Sequence, residues 1–511
     1  MKNKGQITVF MSCMISVLII LTLTALEVGR IYCGRMKIRA VIHSAQSCIL
    51  ADYNRELFER YHLLFADPTY GTGSYAMVEG KFQDYVEKSL NGDASVGKLF
   101  EFEVCEIALC GYKSIIDDHM KLLKKQIADY EKEEGAVKKV VEAGKNMVDS
   151  SKDVKEAAEK TSNGATEIPM SSGNNEVSEA DNISNSEEDA TAKDSADNEN
   201  KEEVEDPRKV LKDMLSKGVL ALLLPTNIEV SNEEHDFSDS PSETYTENEK
   251  FKKDTDFTDV NNMLDILNNS AKEDSTVIMG IGQKAAFCAY VDDHFSYFGS
   301  DKGSVMKGEV EYIIKGKKSD YDNLEAVLSD IIWMRMPINY VCLLKDVEKQ
   351  SEALTLATAI CSSTGTLPMV EIVKYLLLGC WAYGESIYEV RLLMQGEKLP
   401  YVKTSMEWNT DLKSLTKTNN TVSSSVGMSY TDYLNIMLAQ KESKDITYAR
   451  LLDMIELNLR QKDENLSMVN MCGEFKIQGK IRQLPKLLKN NKNYDNDSSV
   501  YDYYFQEKIS Y

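Results

Sequence analysis

The sequence predicts a helix-rich α+β protein in which a single N-terminal transmembrane helix continues into a long amphipathic helix, followed by an α+β body with disordered acidic loops. Three observations support this fold class. An uncharged apolar run opens the chain, ITVFMSCMISVLIILTLTAL at 7–26. Apolar residues behind it recur at helical spacing, and the C-terminal half mixes helical with alternating patterns. Segments of mostly acidic and small polar residues interrupt the body.

The apolar run from Ile7 to Leu26 contains no charged residue, Pro or Gly. A helix of about 20 residues crosses the ~30 Å hydrocarbon core of a bilayer, and inside lipid the backbone groups must be paired within the segment. We therefore expect a transmembrane anchor, with membrane lipid as a partner. Two alternatives stay open: a cleaved secretory signal, whose apolar region is usually about 7–15 residues long, and a buried core helix.

The segment after the apolar run contains no Pro from Glu27 to Ala66. One apolar face with spacings of three and four runs through Ile38, Ile42, Ala45, Ile49, Tyr53, Leu57, Tyr61 and Leu64. This periodicity predicts an amphipathic helix, and a continuous helix from Ile7 to Phe65 would be about 90 Å long. The alternative is a break near Gly34, because Gly weakens a helix by about 1 kcal/mol relative to Ala.

Composition divides the chain further. Residues 1–66 hold the transmembrane and long helix, and 67–160 form an α+β segment with a helix at 75–91, a strand at 100–111 and a charged helix at 122–160. Residues 161–206 carry 14 acidic and 2 basic residues and no aromatic residue. They cannot bury enough apolar surface to fold, which predicts a disordered linker. A docking helix and strand at 207–230, a second disordered linker at 231–256 and a helix-rich α+β domain at 257–511 complete the chain.

Periodicity also predicts the elements of the last domain. Helices are expected at 283–298, 319–336, 347–362, 368–393, 430–440 and 448–461. Alternating patterns predict strands at 308–315 (GEVEYIIK), 475–481 and 500–509. Pro337 should end the helix that begins at Ser319. Only about ten consecutive apolar residues lie within 372–388, which is too few for a second span.

Composition and motifs exclude several functions. The formal net charge of −23 argues against nucleic-acid binding, which needs a basic footprint. The ten Cys are scattered without a CxxC pair, so unpaired small apolar residues are favoured over a disulfide framework. The five His are far apart in sequence, and we predict no metal site and no cofactor. No GxSxG, HExxH, P-loop or GxGxxG motif is present, so a non-enzymatic protein is expected.

Two polar features have both a functional and a structural interpretation. In KGKKSDYDNL (315–324), Asp320, Asp322 and Asn323 could bind a cation. Capping of the following helix explains the same residues and is favoured. Glu385 stands on an otherwise apolar helix. It could be a functional acid, but a buried ion pair is favoured, with Arg391 as the candidate partner.

The N-terminal sequence resembles that of a known family. KGQITVF, the apolar run and LEVGRIYCGR together resemble the N-terminus of the TadE/TadG-like proteins of tight-adherence (Flp) pilus systems. The next block, AQSCILADYNRELFERYHLLFAD at 45–67, is similar to a large, mostly uncharacterised bacterial subgroup of that family. The resemblance weakens between Pro68 and Asp206. It returns at PRKVLKDMLSKGVLALLLP and again from Gly308.

This resemblance implies a non-enzymatic, single-pass cell-membrane protein with its large C-terminal domain outside the cytoplasm. It would act as a pilin-like or assembly component of a tight-adherence pilus, with other pilin-like or pilus-assembly proteins bound through its N-terminal helix. Gly5 and Gln6 would flank a processing site, although Gly5 is also explained as a plain residue ahead of the span. Type IV prepilins carry a Glu five residues after the cleaved Gly, where this chain has Phe10.

Two other functions are consistent with the sequence. One is a membrane-tethered enzyme or ligand-binding domain unrelated to pili, and the other is a cytoplasm-facing scaffold. The charge bias across the span favours the cytoplasm-facing orientation, because cationic residues lie mostly on the cytoplasmic side of a span. Lys2 and Lys4 precede the span, whereas the residues after it are Arg30, Arg35, Lys37 and Arg39.

Overall fold

A computed structural model describes most of the chain outside the acidic segments. The described residues are 4–69, 76–92, 100–134, 220, 223, 230–248, 275–364, 366–400, 403, 407–412, 414–418, 427–486 and 501–511. The linker predicted at 161–206 and most of the charged helix predicted at 122–160 lie outside them.

Helix α1 runs from Lys4 to Leu50 and includes the whole apolar run. It passes through Gly34 without a break, so that alternative is wrong. The prediction of one helix to Phe65 is also wrong, because the chain turns after Leu50 and starts a new helix, α2 (Arg55–Tyr61). The side chain of Asn54 caps α2 by accepting the Leu57 N–H at 3.0 Å.

The second half of α1 packs on a three-stranded antiparallel sheet. The strands β1 (Phe102–Ser114), β4 (Cys472–Gln483) and β5 (Asp502–Ser510) lie in the order β1-β4-β5. Helix α3 (Ala76–Asn91) lies beside α1 and β1. The shared core contains Ile38, Ile42, Ala45 and Ile49 of α1, Val78, Phe82 and Val86 of α3, and Phe475, Ile477, Ile481, Phe505 and Ile509 of the sheet. We call residues 27–50 with α3 and this sheet the stalk.

A second, larger core lies among helices, which we call the helical body. Its helices are α4 (Asp117–Glu134), α5 (Pro241–Asn248), α6 (Ser275–His294), α7 (Glu309–Lys315), α8 (Asp320–Lys345), α9 (Val347–Thr364), α10 (Val370–Met394), α11 (Tyr430–Lys441) and α12 (Asp445–Leu459). A small hairpin of β2 (Thr410–Asp411) and β3 (Ser414–Thr418) lies against α10. Leu220 and Leu223, from the predicted docking helix at 207–230, are buried in this core.

Most predicted helices of the last domain are present with shifted ends, but two expectations are wrong. GEVEYIIK is the short helix α7, not a strand, because all residues from Glu309 to Ile314 are buried and no face alternates with solvent. Gly316 ends it in the left-handed region at φ 70°. Helix α8 does not stop before Pro337 but continues to Lys345. The buried residues Asn339 and Leu343 hold this last part in the core.

The linker expected at 231–256 contains ordered structure. Glu234 forms an isolated bridge with Ser319, and the ring of Phe237 stacks on that of Tyr312 at 4.6 Å between centroids. Helix α5 follows, and the Tyr245 hydroxyl donates to Asp445 at 3.0 Å. The aromatic residues of this segment therefore give it enough contacts to order 230–248, although its composition is polar.

The stalk separates the apolar helix from the helical body. From residue 27 to residue 50, α1 rises about 35 Å, and the 12 residues of β4 span about 40 Å. Leu484 lies just after β4, and its carbonyl accepts a hydrogen bond from Arg30 at the end of the stalk next to the apolar run. Cys472, where β4 begins, pairs with Ala66 just after α2. The helical body is thus joined at the end of the stalk farthest from the apolar run.

The helical body contains several buried carboxyl groups with raised pKa values. Burial raises the pKa of Glu309, Glu311 and Glu456 to about 7 and that of Asp453 to about 6. In the folded state these groups therefore hold protons that the unfolded chain releases at lower pH. Their contribution to stability is fully present below about pH 4 and is lost as pH rises through about 7.

We predict that the Tm of the full-length chain rises as pH falls from 8 to 5. Glu311→Gln should flatten this dependence, because Gln keeps the acceptor for Phe298 N–H and Tyr430 O–H but does not titrate. Glu464→Gln at an exposed site removes the same charge and is the control. Thermal unfolding followed by circular dichroism in detergent measures the slopes. Equal slopes for both variants would contradict the assignment to the buried carboxyl.

Candidate functional site: the junction of the apolar helix and the stalk

A buried ion pair marks the point where α1 passes from the apolar run to the stalk. Glu27 is 2% exposed and Arg30 is 5% exposed. The Arg30 guanidinium donates to both carboxylate oxygens of Glu27, from Nε at 3.0 Å and from Nη2 at 2.6 Å. The same Nη2 donates to the Leu484 carbonyl at 2.8 Å. The pair therefore joins one turn of α1 to the end of β4.

The local sequence explains this arrangement. Residues three apart lie on the same face of a helix, so Glu27 and Arg30 meet without distorting α1. An unpaired charge buried at this position would cost several kcal/mol, whereas the planar fork of Arg satisfies the carboxylate and a backbone carbonyl together. Gln483 adds a further contact, since its Nε2 donates to the Arg30 carbonyl at 3.2 Å.

Two glycines in α1 have opposite surroundings. A Cβ on Gly34 would overlap the side-chain amide of Gln483, so the small residue leaves room for that side chain beside the helix. A Cβ on Gly29 would meet nothing within 4 Å. Gly34 therefore belongs to the junction, and Gly29 faces away from the stalk.

On the N-terminal side of the junction, no described part of the chain covers α1. The large apolar side chains of this run are exposed, including Phe10, Val17, Leu18, Ile19, Ile20, Leu21 and Leu26. Helix α1 is long and apolar enough to cross a membrane, and no residue of its most apolar stretch is buried. Among the described residues, α8 is also long and apolar enough to cross a membrane, but 44% of its apolar stretch is buried and it is a core helix of the helical body.

The predicted processing residues Gly5 and Gln6 lie in the first turn of α1, directly before the apolar run. Phe10 is exposed with the rest of the run.

A second group of charges is fully buried inside the helical body. Glu385 and Glu389 lie one turn apart on α10. Lys403 binds both, at 2.5 and 2.9 Å, and Arg335 of α8 makes a two-point contact with Glu389 at 2.7 and 2.8 Å. The partner predicted for Glu385 was Arg391; the structure shows Lys403 instead.

Backbone and side-chain donors complete this four-charge network. Thr410 donates to Glu385 from its N–H at 2.9 Å and its hydroxyl at 2.6 Å, and Asn409 donates its N–H. Burial alone would raise the pKa of Glu389, but the charges of Arg335 and Lys403 outweigh it and lower this pKa to about 2. The carboxylate therefore stays ionised, and the network fixes the segment after α10 onto that helix.

The network has little capacity for chemistry on a substrate. Arg335, Glu385 and Glu389 are fully buried, and the adjoining cavity of about 10 Å³ beside Lys403 and Asn409 has room for about one water. The sequence alone indicates only part of this four-charge network. The i, i+4 spacing of Glu385 and Glu389 in an apolar helix indicates a buried acidic pair, whereas Arg335 and Lys403 are too distant in sequence to be paired with it.

The predicted cap is confirmed only at Ser319, whose hydroxyl donates to the Asp322 carboxylate. Asp320 and Asn323 bind backbone groups of the segment before α8 and do not cap that helix. Ser319 caps α8 and accepts the Asp322 N–H at 3.2 Å. Asp320 accepts the N–H groups of Lys307 and Gly308, and Asn323 binds the Lys317 N–H at 2.8 Å. Across the described residues, no group of three or more His, Cys, Asp or Glu side chains is placed to hold a metal ion.

Comparison with known proteins gives one match. The profile of a family described as a family of unknown function, DUF5702, matches residues 197–483. This range covers most of the helical body and β4, and it does not include α1. No curated protein and no solved structure is significantly similar to the chain.

We predict opposite effects for the same substitution at Gly29 and Gly34 of α1. Gly29→Ala should be neutral or stabilising, by up to about 1 kcal/mol, because Ala is the better helix former. Gly34→Ala should displace the Gln483 side chain from its hydrogen bond to the Arg30 carbonyl. A buried polar group is then left unsatisfied, which lowers the free energy of unfolding by about 1–3 kcal/mol. Urea unfolding in detergent measures both. Equal stability of the two variants would show that the Gln483 side chain moves aside without cost when Gly34 gains a Cβ.

We also predict that Lys403→Ala destabilises the chain by about 3–5 kcal/mol, because it leaves two buried carboxylates with one cationic partner. Lys398→Ala, at an exposed position nearby, should change stability by no more than about 0.5 kcal/mol. Denaturant midpoints of the two variants give the comparison. A small effect of Lys403→Ala would mean that the network is hydrated and does not fix the segment.

Proposed function

The chain belongs to the DUF5702 family, whose function is unknown, and we propose that it is a non-enzymatic, single-pass membrane protein of the cell envelope. In this proposal the apolar half of α1 spans the membrane, and the stalk holds the helical body on its outer side. The observation that carries the proposal is a single helix whose large apolar side chains are exposed over 7–26 and whose residues from Ile38 to Ile49 pack in the core of the stalk.

The same observation argues against the alternatives for the apolar run. A signal sequence removed after Leu26 would leave Glu27 at a new chain end, although Glu27 and Arg30 are buried together inside one continuous helix. A soluble core helix would have its apolar residues covered, whereas these side chains are exposed in the described structure. An uncleaved anchor satisfies both observations, because lipid covers residues 7–26 of the helix and the sheet packs against residues 27–50.

More specifically, we propose a pilin-like or assembly role in a tight-adherence pilus system. The support is the sequence resemblance of residues 4–67, together with a helix that is apolar in its first half and packed on an antiparallel sheet in its second half. Such a helix could pack laterally against similar helices in the membrane, while the helical body presents a surface outside. Its partners would be membrane lipid and other pilin-like or pilus-assembly proteins.

One observation favours a cytoplasm-facing scaffold as the second candidate. Arg35, Lys37 and Arg39 follow the span, and cationic residues near a span lie mostly on the cytoplasmic side. In the folded chain Lys37 donates to the Leu90 carbonyl and Arg39 donates to the Tyr503 hydroxyl, so both have partners within the stalk. The two candidates differ in the side of the membrane on which the helical body lies, so the orientation of the span is the first property to measure.

We predict that a protease added to intact cells expressing the chain removes the helical body and leaves a membrane-bound fragment containing 7–26. Mass spectrometry of the N-terminus is done on the same sample. A chain that starts at Gln6 supports the pilin-like version, and a chain that starts at Met1 or Lys2 contradicts processing but retains the anchored protein. A cytoplasmic protein serves as the control for cell integrity. Full protection of the helical body would overturn the envelope proposal and favour the scaffold.

A further inference from the structure

The end of the stalk next to the apolar run is rich in cationic residues, although the chain as a whole carries a net charge of −23. No Asp or Glu occurs from residue 28 to residue 51, where the cations are Arg30, Arg35, Lys37 and Arg39. A second stretch without Asp or Glu, 475–494, contains six Lys or Arg residues and includes most of β4. The two stretches meet at the junction, where Arg30 binds the Leu484 carbonyl. Positive charge is therefore concentrated where the helix leaves its apolar half.

Several of these cations have partners that belong to the stalk itself. Lys480 and Arg482 bind the Asp502 carboxylate at 2.9 and 2.7 Å. The Arg39 Nε donates to the Tyr503 hydroxyl at 3.0 Å. These contacts join α1, β4 and β5 to one another, so their first role is structural.

Arg35 is exposed on α1 at the height of the lipid headgroups. At 1.5 Å per residue, Tyr32 lies about 9 Å and Arg35 about 14 Å beyond Leu26 along the helix. The headgroup layer on each side of the hydrocarbon core is about 5–8 Å thick. Side chains on a helix lean toward its N-terminus, which in α1 is the apolar run, so the long Arg35 side chain extends toward that layer. Tyr32 is 67% exposed and lies at the level where interfacial aromatic residues are enriched.

Lys486 supplies a second cation at this level, on the sheet side of the stalk. It lies two residues beyond Leu484, and its ammonium is 3.6 Å from the Glu101 carboxylate. The Glu101 side chain is 57% exposed, and exposed ion pairs contribute little to stability. A lipid phosphate can therefore compete with Glu101 for the Lys486 ammonium. We call Tyr32, Arg35 and Lys486 the collar.

We propose that the collar binds the phosphate groups of anionic membrane lipids. Its position selects lipid as the partner, because it directly adjoins a helix long and apolar enough to cross a bilayer. Each cationic residue near an anionic bilayer surface raises association about fivefold, and the Tyr32 hydroxyl can donate to a phosphate oxygen. The proposal rests on the proposed span of α1. It depends neither on the pilus role nor on the orientation of the span, since both leaflets present phosphate groups.

The test measures the lipid selectivity of the full-length chain in phosphatidylcholine bilayers. Trace amounts of spin-labelled phosphatidylglycerol or phosphatidylcholine are added, and electron paramagnetic resonance gives the fraction of each label that the protein restricts in its motion. At low salt we expect the protein to prefer the anionic label by about threefold or more. The preference should fall below about 1.5-fold in 1 M salt, where the Debye length is only about 3 Å.

Three double variants test whether the collar is the site. Arg35→Gln/Lys486→Gln removes both charges and should lower the preference below about 1.5-fold. Arg35→Lys/Lys486→Arg keeps both charges and should retain the preference. Arg55→Gln/Lys462→Gln is the matched control at the other end of the stalk, where Lys462 also forms an exposed ion pair, with Glu56. It should leave the preference unchanged, and circular dichroism checks the folding of each variant.

Three results would overturn the collar while the span of α1 stands. One is an equal restricted fraction for both labels in the unmodified protein. Another is an equal preference in the Arg35→Gln/Lys486→Gln variant and its control, which would place the lipid contact elsewhere. The third is loss of the preference in the variant that keeps both charges. Absence of any motionally restricted lipid would instead contradict the span itself, and the collar proposal with it.

Discussion

The structure depends on how one helix passes from its exposed apolar half into the stalk without leaving a buried charge unpaired. The first charged residues after the apolar run, Glu27 and Arg30, neutralise each other within one turn of α1 and bind the end of β4 through Leu484. This contact fixes where the uncovered part of the helix ends and where the protein core begins. The same helix can then continue into the stalk with no flexible connection between them.

The stalk joins parts of the chain that are far apart in sequence. Strand β1 follows α3 near the N-terminus, whereas the other two strands of the sheet, β4 and β5, are the last strands in the described residues. The helical body between them is held at the far end of the sheet, where Cys472 pairs with Ala66. The buried network around Glu389 and Lys403 acts in a similar way inside the body, because it fixes a connecting segment to a helix through ion pairs that solvent cannot reach.

Local patterns predicted much of this architecture. The apolar run, α3, β1 and most helices after residue 275 follow from spacing alone, and the cap at Ser319 follows from residue type. Other features depend on tertiary contacts. GEVEYIIK looks alternating but is buried all round, α8 continues past Pro337 because Asn339 is bound in the core, and the Lys403 partner of Glu385 lies in a segment without periodicity. Pairing of β1 with β4 has no local signal.

The central claim is that α1 is one rigid unit from the apolar run through the stalk. Hydrogen–deuterium exchange of the full-length chain in lipid nanodiscs tests it most directly. The account predicts slow exchange of the α1 amides from about residue 10 to residue 48, with no gap at the junction. Fast exchange should begin only in the turn after α1, at residues 51–54. Rapid exchange at 27–34, between a protected span and a protected stalk, would show two independent helices and contradict the claim.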